Sequence, residues 1–174
     1  MRRLTDAQRL DRFMEALGKK ASRPTKVYFT GGATAVLHGW RPTTIDLDLK
    51  IVPESDELLR AIPGLKETLE INVELASPEH FIPELPGWSE RSLFIRQVGQ
   101  VSFYHFDPYA QALSKLERGH TLDLQDVQAM RAGGLIENAQ LSRLFETIEP
   151  DLYRYPAIDP RAFRAALEAF LQGS

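Results

Sequence analysis

Two aspartates, Asp46 and Asp48, lie two residues apart in a segment that alternates between polar and apolar residues. In an extended strand such a pair leaves one face, with the side chains about 6.6–6.8 Å apart along the chain. Two like charges this close repel each other, and a divalent cation offsets the repulsion because carboxylate oxygens are ligands that Mg²⁺ prefers. The spacing is typical of a metal-binding strand, and equally of the solvent face of an amphipathic sheet.

A pair of glycines precedes the aspartates. Gly31 and Gly32 follow a predicted strand over 26–30 and precede a predicted short helix over 33–38. Glycine lets the backbone approach a ligand closely, and the free N–H groups at the start of a helix attract phosphate. Gly-Gly is also the ordinary composition of a tight turn between a strand and a helix. The pair therefore predicts a turn that is suited to a phosphate but does not require one.

A third carboxylate, Glu74, lies on the polar face of a predicted strand over 69–76. If that strand neighbours the aspartate strand, the three carboxylates could hold one or two metal ions for displacement at phosphorus. The plain alternation of Asn72 and Glu74 with Ile71, Val73 and Leu75 explains Glu74 equally well as part of a solvated face.

The elements that must position these residues follow from periodicity. A first helix capped by Thr5 or Asp6 is expected to end near Ser22–Pro24, and a strand over 43–52 should turn one face to the core. The apolar residues of that face are Ile45, Leu47, Leu49 and Ile51. The remaining expected elements are a helix from Pro53 to about Ile62, with another turn near Glu67 as an alternative end, a hairpin (93–97 and 101–106) and helices over 107–119, 123–132, 138–148 and 159–171.

This order of elements predicts an α/β (α+β) fold with a mixed sheet of about five strands flanked by helices and a C-terminal helical bundle. The chain has 174 residues, which suits one compact unit. We expect an α/β core over 1–106 and a helical region over 107–174.

Composition excludes several classes of protein. The chain has no cysteine, which rules out a disulfide scaffold, a thiol nucleophile and a cysteine zinc site, and suits a reducing cytoplasm. Its net charge of −3 argues against a strongly basic nucleic-acid binder. No apolar run approaches the ~20 residues of a membrane helix, and no signal peptide is predicted, so we expect a cytoplasmic protein without membrane contact. The four histidines are scattered and are interpreted as structural or surface residues.

Gly31-Gly32, thirteen residues and then Asp46-x-Asp48, preceded by an Arg-x-Thr-Thr approach, resembles the nucleotidyltransferase fold of the polymerase-β superfamily. Within that superfamily the spacing is similar to the abortive-infection type IV toxin nucleotidyltransferases and their small bacterial relatives of unassigned function. The resemblance covers about residues 25–132.

The resemblance implies roles for the first motif. Gly31 and Gly32 would hold the triphosphate of a nucleoside triphosphate, and Asp46 and Asp48 would bind Mg²⁺ or Mn²⁺. Glu74 would be a third metal ligand or the base that activates the acceptor. Thr34 and Arg41 would lie at the nucleotide, although an ion pair with Asp46 is an alternative for Arg41, and Trp40 beside it suits a buried anchor better than a base-stacking platform.

A later helical signature follows in the same resemblance. Lys115 and Arg118 share one helix face and would offset phosphate charge, with Lys115 taking part in catalysis. Asp123 and Asp126 begin the next helix and would complete the nucleotide site. Ordinary helix capping and surface charge explain the same four residues without a ligand.

The function that these features predict is a metal-dependent nucleotidyltransferase. It would move a nucleoside monophosphate from a nucleoside triphosphate to a hydroxyl of an RNA, a protein or a small molecule. The resemblance alone implies the setting of a toxin with an antitoxin partner. One alternative is a catalytically degenerate nucleotide-binding or protein-interaction module of the same fold. Another is a phosphohydrolase that uses the same carboxylates.

Overall fold

The computed structural model describes residues 3–173, which divide into two compact units. The first unit comprises the chain up to Ser77 together with Ser92–Phe106. The second comprises Pro78–Arg91 and the chain from Asp107 onward. The segment over 78–91, which lies within the range expected for the α/β core, groups with the C-terminal helices and contains the short helix α4 (Trp88–Arg91).

A five-stranded mixed sheet forms the centre of the first unit and confirms the predicted fold class. Its strands are β1 (Thr25–Thr30), β2 (Asp46–Val52), β3 (Asn72–Leu75), β4 (Leu93–Val98) and β5 (Val101–His105). Their order is β3-β2-β1-β5-β4. Strand β1 is antiparallel to β2 and parallel to β5, β2 is parallel to β3, and β4 and β5 form the predicted antiparallel hairpin.

Three helices of the first unit supply the other half of its core. They are α1 (Ala7–Gly18), α2 (Gly32–Leu37) and α3 (Asp56–Thr68). Asp6 caps α1 by accepting a hydrogen bond from the Arg9 N–H at 2.9 Å, which satisfies one of the unpaired donors of its first turn. Apolar side chains of these helices pack with those of the sheet into one cluster, which includes Leu10, Phe13, Leu17, Phe29, Leu47, Leu49, Leu58 and Phe103.

Two strand predictions were wrong at their ends. Ile45, expected in the core, is 71% exposed, and β2 begins only at Asp46. The reason is a short bridge between Thr5 and Thr44, whose N–H and carbonyl groups bond reciprocally at 2.8 and 2.9 Å. Leu75 is likewise 53% exposed at the end of β3.

Two helix predictions also differ from the structure. Helix α1 ends at Gly18 rather than near Ser22–Pro24. Helix α3 continues without a break to Thr68, through Pro63 and Gly64, where the sequence predicted an end near Ile62 or a further turn near Glu67. Pro63 and Gly64 lie on the exposed side of α3, while buried side chains on the other side, including Leu58 and Leu65, hold it in place.

The second unit is helical, as predicted. After α4 it contains α5 (Pro108–Arg118), α6 (Thr121–Ala132), α7 (Asn138–Ile148) and α8 (Pro160–Gln172). Asp107, which is fully buried, caps α5 by accepting from the Tyr109 N–H at 3.0 Å. Phe145 and Phe163 meet edge to face with their ring centroids 5.0 Å apart, which joins α7 to α8.

The helices of residues 3–173 are too short or too polar to cross a bilayer. The longest of them, α3 and α8, have 13 residues each. A membrane span needs about 20 residues.

Candidate active site

The carboxylates that the sequence singled out lie on neighbouring strands of the first unit. In the register of β2 with β3, Asp46 is opposite Asn72 and Asp48 is opposite Glu74. On the other side of β2, Asp48 is opposite Thr30 of β1. Asp46 and Asp48 are half-buried and Glu74 is exposed. The structure therefore brings Glu74 next to the aspartates, which its predicted role required.

Asn72 connects two of these carboxylates, Asp46 and Glu74, and sequence reasoning assigned it no role. Its side-chain Nδ2 donates a hydrogen bond to Asp46 Oδ1 at 2.5 Å and a longer one to Glu74 Oε1 at 3.3 Å. Asn72 and Glu74 alternate as any polar strand face does, so only the register of β2 with β3 reveals the contact. The one available signal was its position two residues before a candidate ligand.

Gly31 places backbone directly against Asp48. Its φ is +61°, a conformation that L side chains rarely adopt, and a Cβ added there would lie 3.1 Å from Asp48 Oδ2. A Cβ on Gly32 would lie only 2.0 Å from Thr44 Oγ1, so that position also requires glycine. The Thr44 hydroxyl in turn donates to the Asp46 carbonyl at 3.2 Å. The two predicted motifs, the glycine turn and the aspartate strand, thus meet.

Thr34 lies behind this turn, inside the core. Its hydroxyl donates to the Phe29 carbonyl at 3.4 Å and lies 3.1 Å from His105 Nδ1. The His105 ring stacks on His38 at a centroid distance of 4.3 Å, and His38 stacks on Trp40 at 4.7 Å. Trp40 is therefore part of a packed ring stack, and nucleotide contacts of Thr34 and of the half-buried Arg41 stay predictions.

The ring stack favours neutral histidines. Burial, followed by the charge of His38, lowers the pKa of His105 to about 3. Burial also lowers the pKa of His38. The interpretation of these two histidines as structural residues agrees with their packing.

The later signature lies in the second unit, where all four of its residues form one network of ion pairs. Lys115 is 4% exposed, and its Nζ lies 2.7 Å from Asp126 Oδ2 and 3.6 Å from Asp123 Oδ1. Arg118 donates to both carboxylate oxygens of Asp123, at 2.6 and 2.8 Å. The network joins the C-terminal half of α5 to the first turns of α6.

Each charge of this network already faces an opposite charge. Burial alone would raise the pKa of Asp123, but hydrogen bonds and charge from Arg118, together with the charge of Lys115, outweigh it, and the pKa is lowered. The contacts of Lys115 support a role in holding α5 to α6. Its predicted role at a phosphate is not tested by this geometry.

The donors on β2 fit a magnesium site that is shared with a substrate. Mg²⁺ is usually held by one or two carboxylates together with phosphate oxygens and water, rather than by a complete protein cage. Asp46 and Asp48 supply two carboxylates beside the Gly31 backbone. Within residues 3–173 no group of three or more His, Cys, Asp or Glu side chains could hold a metal by itself.

A search of family models finds one that is described as a nucleotidyltransferase of unknown function (DUF6036), matching residues 6–170. The match contains the glycine turn, the aspartate strand and the ion-pair network. No curated protein and no solved structure matches the chain.

Proposed function

The chain belongs to the nucleotidyltransferases of unknown function (DUF6036), and from this membership we propose that it is a metal-dependent nucleotidyltransferase. The observation that carries the proposal is the contact of the glycine turn with the aspartate strand, where the Gly31 position lies against Asp48 Oδ2. Backbone without a side chain beside a carboxylate pair suits a phosphate chain and a cation that bind together.

In the proposed reaction an acceptor hydroxyl attacks the α-phosphorus of a nucleoside triphosphate. A new P–O bond forms to the acceptor, and the bond from the α-phosphorus to the bridging oxygen breaks. Pyrophosphate leaves with the bonding electrons, and the hydroxyl proton passes to a carboxylate. Glu74, exposed and opposite Asp48, is the side chain we assign to this proton. The products are a nucleotidylated acceptor and pyrophosphate.

Positioning supplies most of the catalysis in this proposal. Asp46 and Asp48 would hold Mg²⁺ or Mn²⁺, which when bound offsets charge on the phosphate oxygens. Gly31 and Gly32 would let backbone N–H groups reach the tail phosphates. A Cβ on Gly31 would lie beside Asp48 Oδ2, and a Cβ on Gly32 would collide with Thr44 and displace the turn. Charge compensation by Lys115 or Arg118 is a further role that the family resemblance implies.

One observation favours a second candidate, a nucleotide-binding or protein-interaction module that no longer turns over. The buried Lys115 ammonium is already held by Asp126 and Asp123, so a catalytic role would require it to leave them. This candidate predicts nucleotide or protein binding that does not depend on Asp46.

The acceptor and the biological setting belong to the same proposal. The reaction suits a hydroxyl of an RNA, a protein or a small molecule, and a toxin neutralised by an antitoxin is the setting that the resemblance implies. Growth arrest on expression, relieved by a neighbouring gene product, would support that setting, and harmless expression would count against it.

A labelling assay tests the proposal. Purified protein is incubated with each α-labelled nucleoside triphosphate, Mg²⁺ or Mn²⁺ and a cell extract that contains RNA and protein. The Asp46→Ala/Asp48→Ala variant removes the proposed site. An Asp11→Ala/Glu15→Ala variant is the matched control, because it removes two exposed carboxylates from α1.

Label on an acceptor with the wild type and the α1 variant, but not with the Asp46/Asp48 variant, would support the transferase. Release of labelled monophosphate without a labelled acceptor would indicate the phosphohydrolase. No transfer by correctly folded protein, with nucleotide binding retained in the Asp46/Asp48 variant, would favour the binding module.

A further inference from the structure

Two pairs of opposite positions on β2 and β3 hold the carboxylates of the candidate site. Of their four side chains, that of Asn72 is the neutral one. The two strands place Asp46 opposite Asn72 and Asp48 opposite Glu74. An amide nitrogen carries two hydrogens, so Nδ2 can donate to two acceptors at once. The distances to Asp46 Oδ1 and Glu74 Oε1, 2.5 and 3.3 Å, fit that arrangement.

Asn72 is not a member of the apolar core cluster. Asn72 is half-buried and belongs to β3, which is an edge strand of the sheet. The buried side chain of β3 is Val73, which lies on the opposite face and packs in the core cluster. The Asn72 amide instead contacts two carboxylates, one of which is a proposed metal ligand.

Both hydrogen bonds run from a neutral donor to a carboxylate, and such bonds restrict the orientation of the carboxylate without neutralising it. An aspartate at position 72 would have nearly the same shape. It would turn the donor into an acceptor and add a further negative charge beside Asp46 and Glu74. Asparagine therefore orients Asp46 and keeps the number of carboxylates at these paired positions to three, Asp46, Asp48 and Glu74.

We infer that Asn72 is a positioning residue that orients Asp46 for metal binding and limits the affinity of the site for a metal in the absence of nucleotide. With only Asp46 and Asp48 as protein ligands, the cation binds well only together with the phosphates of the substrate. Residues that hydrogen-bond a metal ligand typically change metal affinity 10–100-fold when they are replaced. This inference rests on the proposed function.

The test measures Mn²⁺ binding to the full chain by the paramagnetic resonance signal of the free ion. Each protein is titrated alone and with a non-hydrolysable nucleoside triphosphate analogue. The variants are Asn72→Ala, which removes the donor, and Asn72→Asp, which keeps the shape and adds a carboxylate. Asn138→Ala is the matched control, since Asn138 is an exposed asparagine at the start of α7. Thermal unfolding is followed for every protein, and Asn72→Ser replaces the alanine variant if that one does not fold.

The inference predicts opposite changes. Asn72→Ala should weaken Mn²⁺ binding in the presence of the analogue about 10-fold or more. Asn72→Asp should strengthen the binding of Mn²⁺ alone, because it adds a third ligand. Asn138→Ala should behave as the wild type. If Asn72 served only the fold, both substitutions would weaken binding in proportion to lost stability.

Three outcomes overturn the inference, and they are distinguishable. If Asn72→Ala binds Mn²⁺ as the wild type does, Asn72 does not position Asp46. If Asn72→Asp weakens the binding of Mn²⁺ alone, the neutral amide does not limit the metal affinity of the site. In both cases the proposed function still stands. If the wild type and Asp46→Ala/Asp48→Ala bind Mn²⁺ and analogue equally, the proposed metal site fails and the inference fails with it.

Discussion

The carboxylates of β2 and β3 and the ion-pair network of α5 and α6 differ in the charges that surround them. On β2 and β3, Asp46, Asp48 and Glu74 are like charges at least partly open to solvent, and the neutral amide of Asn72 lies between two of them. Between α5 and α6, Lys115 and Asp126 are opposite charges that are almost fully buried and 2.7 Å apart.

This difference in charge compensation distinguishes a group that suits ligand binding from one that suits the packing of two helices. Like charges that share one strand face beside glycine backbone can take up a cation, because a bound cation offsets their repulsion. Opposite charges in contact are compensated already, and moving either one leaves a buried charge uncompensated. The carboxylates of β2 and β3 suit reversible binding of a ligand, and the ion pairs of α5 and α6 suit a permanent contact between the two helices.

The largest effect expected from this difference is on transfer. Asp48→Asn should lower the rate of nucleotidyl transfer about 1,000-fold, about 4.1 kcal/mol of activation free energy, because it removes a charged metal ligand. The thermal midpoint should stay close to that of the wild type. Initial rates with labelled nucleotide measure the effect. Asp11→Asn, at an exposed position of α1, is the control. A loss of transfer rate smaller than about 10-fold in Asp48→Asn would contradict a role for Asp48 as a metal ligand.

A smaller effect, on stability, is expected in the second unit. Asp126→Ala should lower the free energy of unfolding by about 3 kcal/mol, because Lys115 is left buried beside fewer carboxylates. Lys115→Met/Asp126→Leu should recover most of the loss. Urea unfolding measures both. Asp151→Ala, which breaks an exposed pair with Arg154, should change stability by less than about 0.5 kcal/mol. Equal losses of unfolding free energy in the Asp126 and Asp151 variants would contradict a role of the ion-pair network in holding α5 to α6.

The dependence of stability on pH should be smaller still. The pKa of His105 is about 3 in the folded chain and about 6.5 when unfolded, so the folded state keeps it neutral while the unfolded state takes up a proton below pH 6.5. The contribution of His105 to the free energy of unfolding is fully present above pH 6.5 and is lost towards pH 3, with a loss of about 2 kcal/mol between pH 6.5 and 5. His105→Phe should flatten that slope, whereas the exposed His120→Gln should not. Parallel slopes for all three proteins would refute the assignment.

The smallest effect concerns the turn. Gly31→Ala should cost about 1–2 kcal/mol of stability through its positive φ, and it should weaken nucleotide binding through the added Cβ beside Asp48. Gly64→Ala is the matched control, since α3 is helical there and no atom lies within 4 Å of the new Cβ. It should stabilise the chain by about 0.5 kcal/mol. Denaturant unfolding and nucleotide titration compare the two, and equal changes would exclude a special role for Gly31.

Much of the fold could be predicted from local signals. The alternation of β2 and the hairpin of β4 and β5 gave the sheet, and the helices of the second unit followed from their periodicity. The ends of elements could not be predicted where tertiary contacts decide them. The Thr5–Thr44 bridge moved the start of β2, and buried apolar residues carried α3 past Pro63.

The sequence predicted several residues of the candidate site, but it could not predict the contacts between them. Gly31, Asp46 and Asp48 follow from spacing, because a turn and a strand face are local. Asn72 and Thr44 were missed, since their roles depend on strand register and on a close approach of backbone that no local pattern contains. Lys115 and Asp126 were found through the resemblance, but burial and partners, which separate a structural lysine from a ligand-binding one, appear only in the folded chain.

The position of a bound cation tests the central claim most directly. The protein would be crystallised with Mn²⁺ and a non-hydrolysable nucleoside triphosphate, and the ion located by its anomalous scattering. The account predicts a peak bound by the carboxylates of Asp46 and Asp48 with the phosphates beside Gly31, and no Mn²⁺ at Asp123 or Asp126. A nucleotide bound without Mn²⁺ on Asp46 and Asp48, or Mn²⁺ held by the aspartates of α6, would contradict it.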